Sequence, residues 1–172
     1  MNGQIAIVFF QMNASRLYRM KYSRGFTFIE MIIAVAIVAI LAAIAIPSYQ
    51  QHVRKTKRVE MQSELLEIAS KLQQFKAVHR TFTPNSTDVA LSDLGYASDH
   101  NGIASFPENG AVAYKVSIEN VTQNSWLLIA ITDNGQKGDG TLGLDSKGQK
   151  CWTPQNDLTS CTPDGTSNWD GR

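Results

Sequence analysis

A single carboxylate in an apolar stretch is the first residue of this sequence that points to chemistry. Glu30 lies five residues after Gly25, and residues 31–46 are sixteen apolar residues in a row. A charge deep in a helix in lipid costs on the order of 3 kcal/mol, so Glu30 calls for a positively charged partner. The apolar run is near the shortest length that spans a bilayer core as a helix. We therefore expect a membrane helix whose acid is paired with a group outside that helix.

The charges are unevenly distributed along the chain. Residues 1–25 contain four basic residues and no acid, and because the formal net charge is +1, residues 26–172 carry −3. A mildly acidic body does not favour nucleic acid as a direct partner.

A cleaved secretory signal is the alternative explanation for a basic and then apolar start. It is disfavoured because the run is long for a signal peptide and includes Glu30.

Two cysteines lie close together in a tail rich in Gly, Pro, Asn and Ser. In a chain with a membrane segment, Cys151 and Cys161 predict a disulfide on an oxidising face. Basic residues flank both ends of the apolar run, so the cysteines are the indication that the C-terminal body lies outside the cytoplasm. Two free thiols remain an alternative. A zinc site is less favoured because His52, His79 and His100 show no ligand spacing with the cysteines.

The segment RGFTFIE at residues 24–30 resembles the processing site of type IV prepilins. The match comprises Gly25, Phe26, Thr27, Phe28, Ile29 and Glu30, and the apolar run with Pro47 follows. The resemblance implies that a prepilin peptidase cuts between Gly25 and Phe26 and methylates the new Phe26 amine. It also implies that Glu30 meets this amine on a neighbouring subunit during filament assembly. A helix break is expected at Pro47.

Four segments follow from this resemblance. Residues 1–25 are a leader peptide, 26–47 a transmembrane and assembly helix, 48–79 an amphipathic helix of the head, and 80–172 a globular region with a loop, an antiparallel sheet and a disulfide-bounded end. The leader is longer than is usual in this subtype. Because Met20 begins a compact basic leader, MKYSRG, we predict that the natural start is Met20 and that residues 1–19 are an upstream extension.

The body of the chain shows helical and then strand periodicity. Helical steps of three and four residues connect Met61, Leu65, Ile68, Leu72, Phe75 and His79. A coiled coil is disfavoured because the pattern lasts too few turns. Residues 80–111 indicate an irregular loop, residues 112–118 and 126–132 indicate strands, and Leu142 and Leu144 share one face of a strand that turns toward Trp152. We predict an α+β pilin fold, with a long N-terminal helix packed on an antiparallel β-sheet head.

Several patterns that suggest chemistry fail on inspection. Gly138, Gly140 and Gly143 match a dinucleotide-binding pattern, but no helix start follows. The acidic segment nearby lacks oxygen side chains where a calcium loop needs them, although Asp133, Asp139 and Asp145 leave a cation site as a minor alternative. No arrangement of nucleophile and base is indicated. We therefore expect no enzyme activity, cofactor or metal.

The basic cluster at residues 54–58 favours a solvated or lipid-headgroup face over a DNA contact.

The chain is most similar to PilE-type minor pilins, through residues 49–75 and the segment LGLDSKGQKCW. Some relatives have a further cysteine near residue 140, and its absence leaves Cys161 as the partner of Cys151. The resemblance implies a minor subunit of a type IV pilus that supports assembly, with roles in twitching motility, adhesion and DNA uptake. Its partners would be other pilin subunits, prepilin peptidase, the inner-membrane assembly platform and lipid. It would be stored in the bacterial inner membrane with a periplasmic head, and then become part of an extracellular pilus.

Two other functions are consistent with the same processing site and apolar helix. A pseudopilin of a type II secretion system is the main alternative, but the cysteine pair and the poor calcium-loop match favour a pilus. A DNA-binding uptake subunit is the third possibility.

Overall fold

The computed structural model describes residues 25–154 and 161–170, and the chain forms two compact units, residues 1–43 and 44–172. One helix, α1, spans Phe28–His79, and five strands follow it: β1 (Ala104–Phe106), β2 (Tyr114–Glu119), β3 (Leu127–Thr132), β4 (Thr141–Asp145) and β5 (Lys150–Thr153). This confirms the predicted α+β pilin fold. The predicted leader boundary and the start at Met20 concern residues that lie largely outside the described ranges.

The N-terminal part of α1 is apolar on all sides and is not covered by protein. From residue 25 to residue 46 every side chain is exposed except Ala42, which is half-buried. By length and composition, α1 contains a segment able to cross a membrane. Large exposed apolar surfaces of this kind indicate contact with lipid or with other subunits.

The structure differs from the predicted helix break at Pro47. The proline lies inside α1, which continues without interruption to His79. Proline removes one backbone hydrogen bond and crowds the preceding turn, but a helix tolerates it when the turns on either side are stable. Here the residues before it are alanines and isoleucines in an unbroken apolar run, and α1 becomes buried in the head only farther along, from Met61.

The second part of α1 supplies one wall of the core. Met61, Leu65, Ile68 and Leu72 are fully buried, and Phe75 is half-buried. The predicted stripe ends there, because His79 is exposed and its ring stacks on Phe75 with centroids 4.1 Å apart.

The sheet is a simple antiparallel meander in the order β1-β2-β3-β4-β5. β3 occupies the centre, as its apolar character on both faces predicted. Leu128 and Ala130 belong to the same core cluster as the buried residues of α1, whereas Ile129 is buried outside that cluster. On β4, Leu142 and Leu144 are both buried, which confirms that they share the core face.

The region predicted to be an irregular loop contributes more to the core than expected. Residues 80–111 contain β1 and 3-10 helical turns at Pro84–Ser86 and Leu91–Leu94. Phe82, Val89, Leu91 and Tyr96 are buried. Elements of three or four residues are too short to show periodicity, so their formation depends on tertiary contacts that sequence patterns do not reveal.

Two adjacent leucines test how the helix is anchored. Leu65 is fully buried and Leu66 is 48% exposed. We expect Leu65→Ala to lower the free energy of unfolding of the head by about 2–5 kcal/mol, because it leaves a cavity in the core. Leu66→Ala should change it by less than about 0.5 kcal/mol. Chemical denaturation of the full chain in detergent measures both, and equal losses would contradict the orientation of α1.

Candidate assembly site and the polar node of the head

The first turn of α1 holds Glu30 in a defined position. The Thr27 Oγ1 atom accepts a hydrogen bond from the Glu30 backbone N–H at 3.3 Å, and the Thr27 carbonyl accepts one from Met31 N–H at 3.2 Å. Thr27 is thus the N-cap of the helix, and Glu30 is its third residue. An acid in the first turn is favoured by the positive end of the helix dipole.

The N-cap role of Thr27 was not recognised in the sequence. A Ser or Thr followed three residues later by Glu is a known signature of a helix start. The segment TFIE at residues 27–30 has this pattern. It was interpreted only as part of the processing site, although it also predicts where the helix begins.

Gly25 and Phe26 precede the helix and are open to the surroundings. Phe26 is 80% exposed, and a Cβ atom added at Gly25 would meet no atom of the described residues within 4 Å. The fold therefore leaves room for a larger residue at position 25. A requirement for glycine there must come from another molecule that acts on this segment.

One face of α1 beyond Glu30 forms a shallow apolar groove of about 450 Å³. Its walls are the side chains of Phe28, Met31, Ile32, Val35, Ala36 and Ala39. Small residues within such a face allow another helix to approach closely. The groove thus lies beside the single acid of the apolar segment.

Asp139 is the centre of a polar network that connects α1 to the sheet. Its Oδ2 atom accepts hydrogen bonds from the Tyr114 hydroxyl and from Gln136 Nε2, both at 3.0 Å. Its Oδ1 atom lies 3.5 Å from Arg58 on α1, and its carbonyl accepts from Trp152 Nε1 at 2.9 Å. We call this network the Asp139 node. A largely buried carboxylate is tolerable only with such partners, so loss of one of them is costly.

The Asp139 node is reinforced by stacking and by burial. The Arg58 guanidinium lies 3.8 Å from the centroid of the Trp152 ring, a cation–π contact. Burial raises the pKa of Tyr114, and the neighbouring Asp139 charge raises it further. Tyr114 therefore stays neutral and acts as a donor to Asp139 across the physiological pH range.

The other two carboxylates considered for a cation site serve separate purposes. Asp133 pairs with Lys115 at 3.0 Å, and Asp145 accepts the backbone N–H groups of Lys147 and Gln149 in the turn between β4 and β5. Within residues 25–154 and 161–170 no group of three or more potential metal ligands occurs.

A disulfide joins Cys151 on β5 to Cys161, as predicted. It lies against Gly143 of β4, where an added Cβ atom would come within 2.5 Å of the Cys151 sulfur and 2.7 Å of the Cys161 sulfur. Glycine at this strand position therefore makes room for the disulfide. From the sequence alone, Gly143 was noted only as part of a dinucleotide-binding pattern that does not apply, and its contact with the disulfide was not predicted.

The segment after the disulfide is tied back to the sheet. Asp164 Oδ1 accepts the backbone N–H groups of Thr166 and Ser167, the Ser167 hydroxyl donates to the Lys150 carbonyl, and Trp169 Nε1 donates to the Gly143 carbonyl. The hydrogen bonds from Thr166 and Ser167 lower the pKa of Asp164 from 3.8 to about 2. Because the folded pKa is depressed, their contribution is present above pH 3.8 and is lost as the pH falls toward 2.

Two family models match the chain. The model of the type IV minor pilin ComP, described as a DNA uptake sequence receptor, matches residues 47–151. The model of the prokaryotic N-terminal methylation motif matches residues 20–46. The first match covers the head as far as Cys151, and the second covers Glu30 and the apolar run.

Several known proteins are similar to the chain in sequence. The type IV major fimbrial protein FimA of Dichelobacter nodosus is 31% identical over 147 residues, which cover 82% of this chain and 89% of FimA. A fimbrial protein of Pseudomonas aeruginosa is 38% identical over 81 residues, 45% of this chain and 51% of that protein. Prepilin peptidase-dependent protein D of Escherichia coli is 48% identical over 84 residues, 49% of this chain and 43% of that protein. No solved structure matches the chain.

Gly143 provides a test of the contact between β4 and the disulfide. We expect Gly143→Ala to lower the free energy of unfolding of the oxidised protein by about 1–3 kcal/mol, because the new methyl group overlaps both sulfurs. In a Cys151→Ala/Cys161→Ala background the loss should be smaller, since the sulfurs are gone. Gly135→Ala is the control, because a Cβ atom there meets nothing within 4 Å. A loss that is unchanged without the disulfide would contradict this explanation.

Proposed function

Since the chain belongs to the type IV pilin family, we propose that it is a minor structural subunit of a type IV pilus. Prepilin peptidase would remove residues 1–25, methylate Phe26 and release the subunit for incorporation. The roles we propose are support of pilus assembly and of the motility, adhesion and DNA uptake that pili perform. The observation that carries the proposal is the capped first turn, with Glu30 fixed at the start of an unburied apolar helix.

Cleavage would change the charge at the end of α1. It would remove the basic residues of the leader, which are Lys21 and Arg24 for a start at Met20, and leave one new amine at Phe26. Glu30 lies about 6 Å farther along the axis, at a rise of 1.5 Å per residue. In a filament the same region of a neighbouring subunit brings a second amine, and pairing it with Glu30 relieves the cost of both buried charges. The pair would thus favour one axial register between subunits.

The apolar face of α1 supports storage in the membrane before assembly. Its exposed side chains need lipid, or other pilin helices, to cover them. The disulfide supports a head on the oxidising, periplasmic side. Assembly then needs an inner-membrane platform that moves the helix from lipid into the filament. The family is one of structural subunits, and we propose no catalytic step for the chain itself.

The minor role is favoured by the family model that covers residues 47–151, which describes a minor pilin. Several relatives are named as major subunits, so the comparisons alone leave copy number to experiment. Their names are those of fimbrial proteins and pilins, which supports a pilus subunit over a pseudopilin of type II secretion.

A DNA receptor on the pilus is the second candidate function. The observation that favours it is the description of the matching family model as a DNA uptake sequence receptor. The net charge of residues 26–172 opposes it, so any contact with DNA would have to use a local group of cations.

Glu30 provides the test of the assembly mechanism. We expect Glu30→Ala to leave removal of the leader intact, while incorporation into pili falls by about tenfold or more because a neighbouring amine loses its counter-charge. Processing is measured by the mass of the membrane protein and incorporation by its amount in sheared pili. Glu60→Ala is the control, since Glu60 is an exposed acid on the same helix. Normal incorporation of Glu30→Ala would refute the pairing mechanism.

The DNA-receptor candidate has a separate test. If it is correct, the full chain in detergent binds duplex DNA at low salt, and the affinity falls steeply as salt is raised because counterions are released. Fluorescence anisotropy with a labelled duplex measures this. Absence of binding at every salt concentration would remove the candidate without affecting the assembly mechanism.

A further inference from the structure

A groove lies on the head near the point where α1 leaves its apolar run. It has a volume of about 340 Å³, and its walls are Tyr49, Gln50, Val53, Arg54, Lys57, Gly135 and Gln136. We call it the membrane-proximal groove. All of its walls belong to the compact unit of residues 44–172.

The charges of this groove are of one sign. Arg54 and Lys57 are one turn apart on α1 and therefore lie on the same side of the helix. Among the described residues neither has an ion-pair partner, whereas the nearby Arg58 is used by Asp139. No acidic side chain lines the groove. Two unneutralised cations in a concave surface attract an anion, and phosphate suits both an arginine and a lysine.

The walls of the groove include Gln136, whose amide is buried and has an unused acceptor. Gln136 is 1% exposed, and its Nε2 atom lies 2.9 Å from the Arg54 carbonyl and 3.0 Å from Asp139 Oδ2. Because both partners are oxygen atoms that only accept hydrogen bonds, these contacts identify the nitrogen end of the amide. The Oε1 atom is buried and has no hydrogen-bond donor within the described part of the chain. A buried acceptor without a donor is costly, so a ligand that brings a donor is favoured here.

The position of the groove on α1 identifies where such a ligand would come from. Tyr49 is 71% exposed and lies three residues after Ile46, the last residue of the apolar run. Tyrosine is typical of the boundary between membrane and water. Arg54 follows Ile46 by about 12 Å along the helix axis, and side chains on a helix lean back toward its N-terminus. With the apolar run in a bilayer, Arg54 would thus lie within reach of the layer that contains the lipid phosphates.

We propose that the membrane-proximal groove binds the headgroup of a membrane phospholipid, with the phosphate at Arg54 and Lys57 and a headgroup hydrogen-bond donor at Gln136. The ammonium of an ethanolamine headgroup and the hydroxyls of a glycerol headgroup both supply such a donor, whereas choline supplies none. The inference rests on the membrane storage proposed above and is independent of which filament the subunit joins. The bound lipid holds the head against the membrane surface and is released when the helix is extracted.

The test uses the full chain reconstituted in bilayers and then released into mild detergent for native mass spectrometry. Bilayers contain equal amounts of phosphatidylethanolamine, its N-dimethyl derivative and phosphatidylcholine, which share the phosphate and differ in N–H donors. We expect retained lipid to decrease in that order. Equal retention of all three headgroups would overturn the assignment of the donor to Gln136.

Two double variants test the phosphate contact. We expect Arg54→Gln/Lys57→Gln to lose at least about tenfold in retained lipid, since it removes both of the proposed charged partners of the phosphate. Lys55→Gln/Lys147→Gln removes two other exposed cations and should retain lipid as the original chain does. Equal losses in the two variants, or none in either, would overturn the proposal.

Two further measurements separate the possible causes of failure. Excess inorganic phosphate should not displace the retained lipid, and full displacement would show that the ligand is a free phosphate rather than a lipid. Flotation with vesicles reports insertion itself. A chain that floats but shows no headgroup preference refutes the groove alone, whereas a chain that does not float refutes membrane storage as well.

Discussion

The structure depends on one constraint: α1 must be stable in two different solvents. Its first part is apolar on every side and has no protein cover, while its second part buries only one stripe, Met61 to Leu72, against the sheet. An uncovered apolar helix is not stable in water, so lipid or neighbouring helices must enclose it. The isolated chain thus buries the apolar core of its head but leaves the apolar first part of α1 exposed.

The polar groups along α1 follow from this constraint. Glu30 is positioned by the Thr27 cap at the start of the apolar part, and the cations at residues 54–58 follow its end. Within this second group, Arg58 points into the head and binds Asp139, whereas Arg54 and Lys57 line an open groove. The same short basic segment therefore contributes both to the interior of the head and to the membrane-proximal groove.

Sequence patterns predicted those features that depend on periodicity or on local motifs. The apolar stripe of α1 from Met61 to Leu72, the central position of β3 and the cysteine pair were predicted correctly, whereas the predicted end of the stripe at His79 is exposed. Features that depend on contacts between distant residues were missed. The Asp139 node joins residues that are far apart in sequence, and the space at Gly143 becomes visible only when the disulfide is in place. Pro47 was predicted to break the helix because of its low helix propensity, whereas α1 continues through it to His79.

The way α1 is held by the head has a mechanical consequence. The four buried residues from Met61 to Leu72 extend over about 16 Å of the helix axis, and the bonds from Gln136 and Asp139 reach the helix from the side. Tension applied along α1 in a filament therefore loads these contacts together, in shear, rather than opening them one after another. A head attached in this way resists a pulling force better than one attached at a single end.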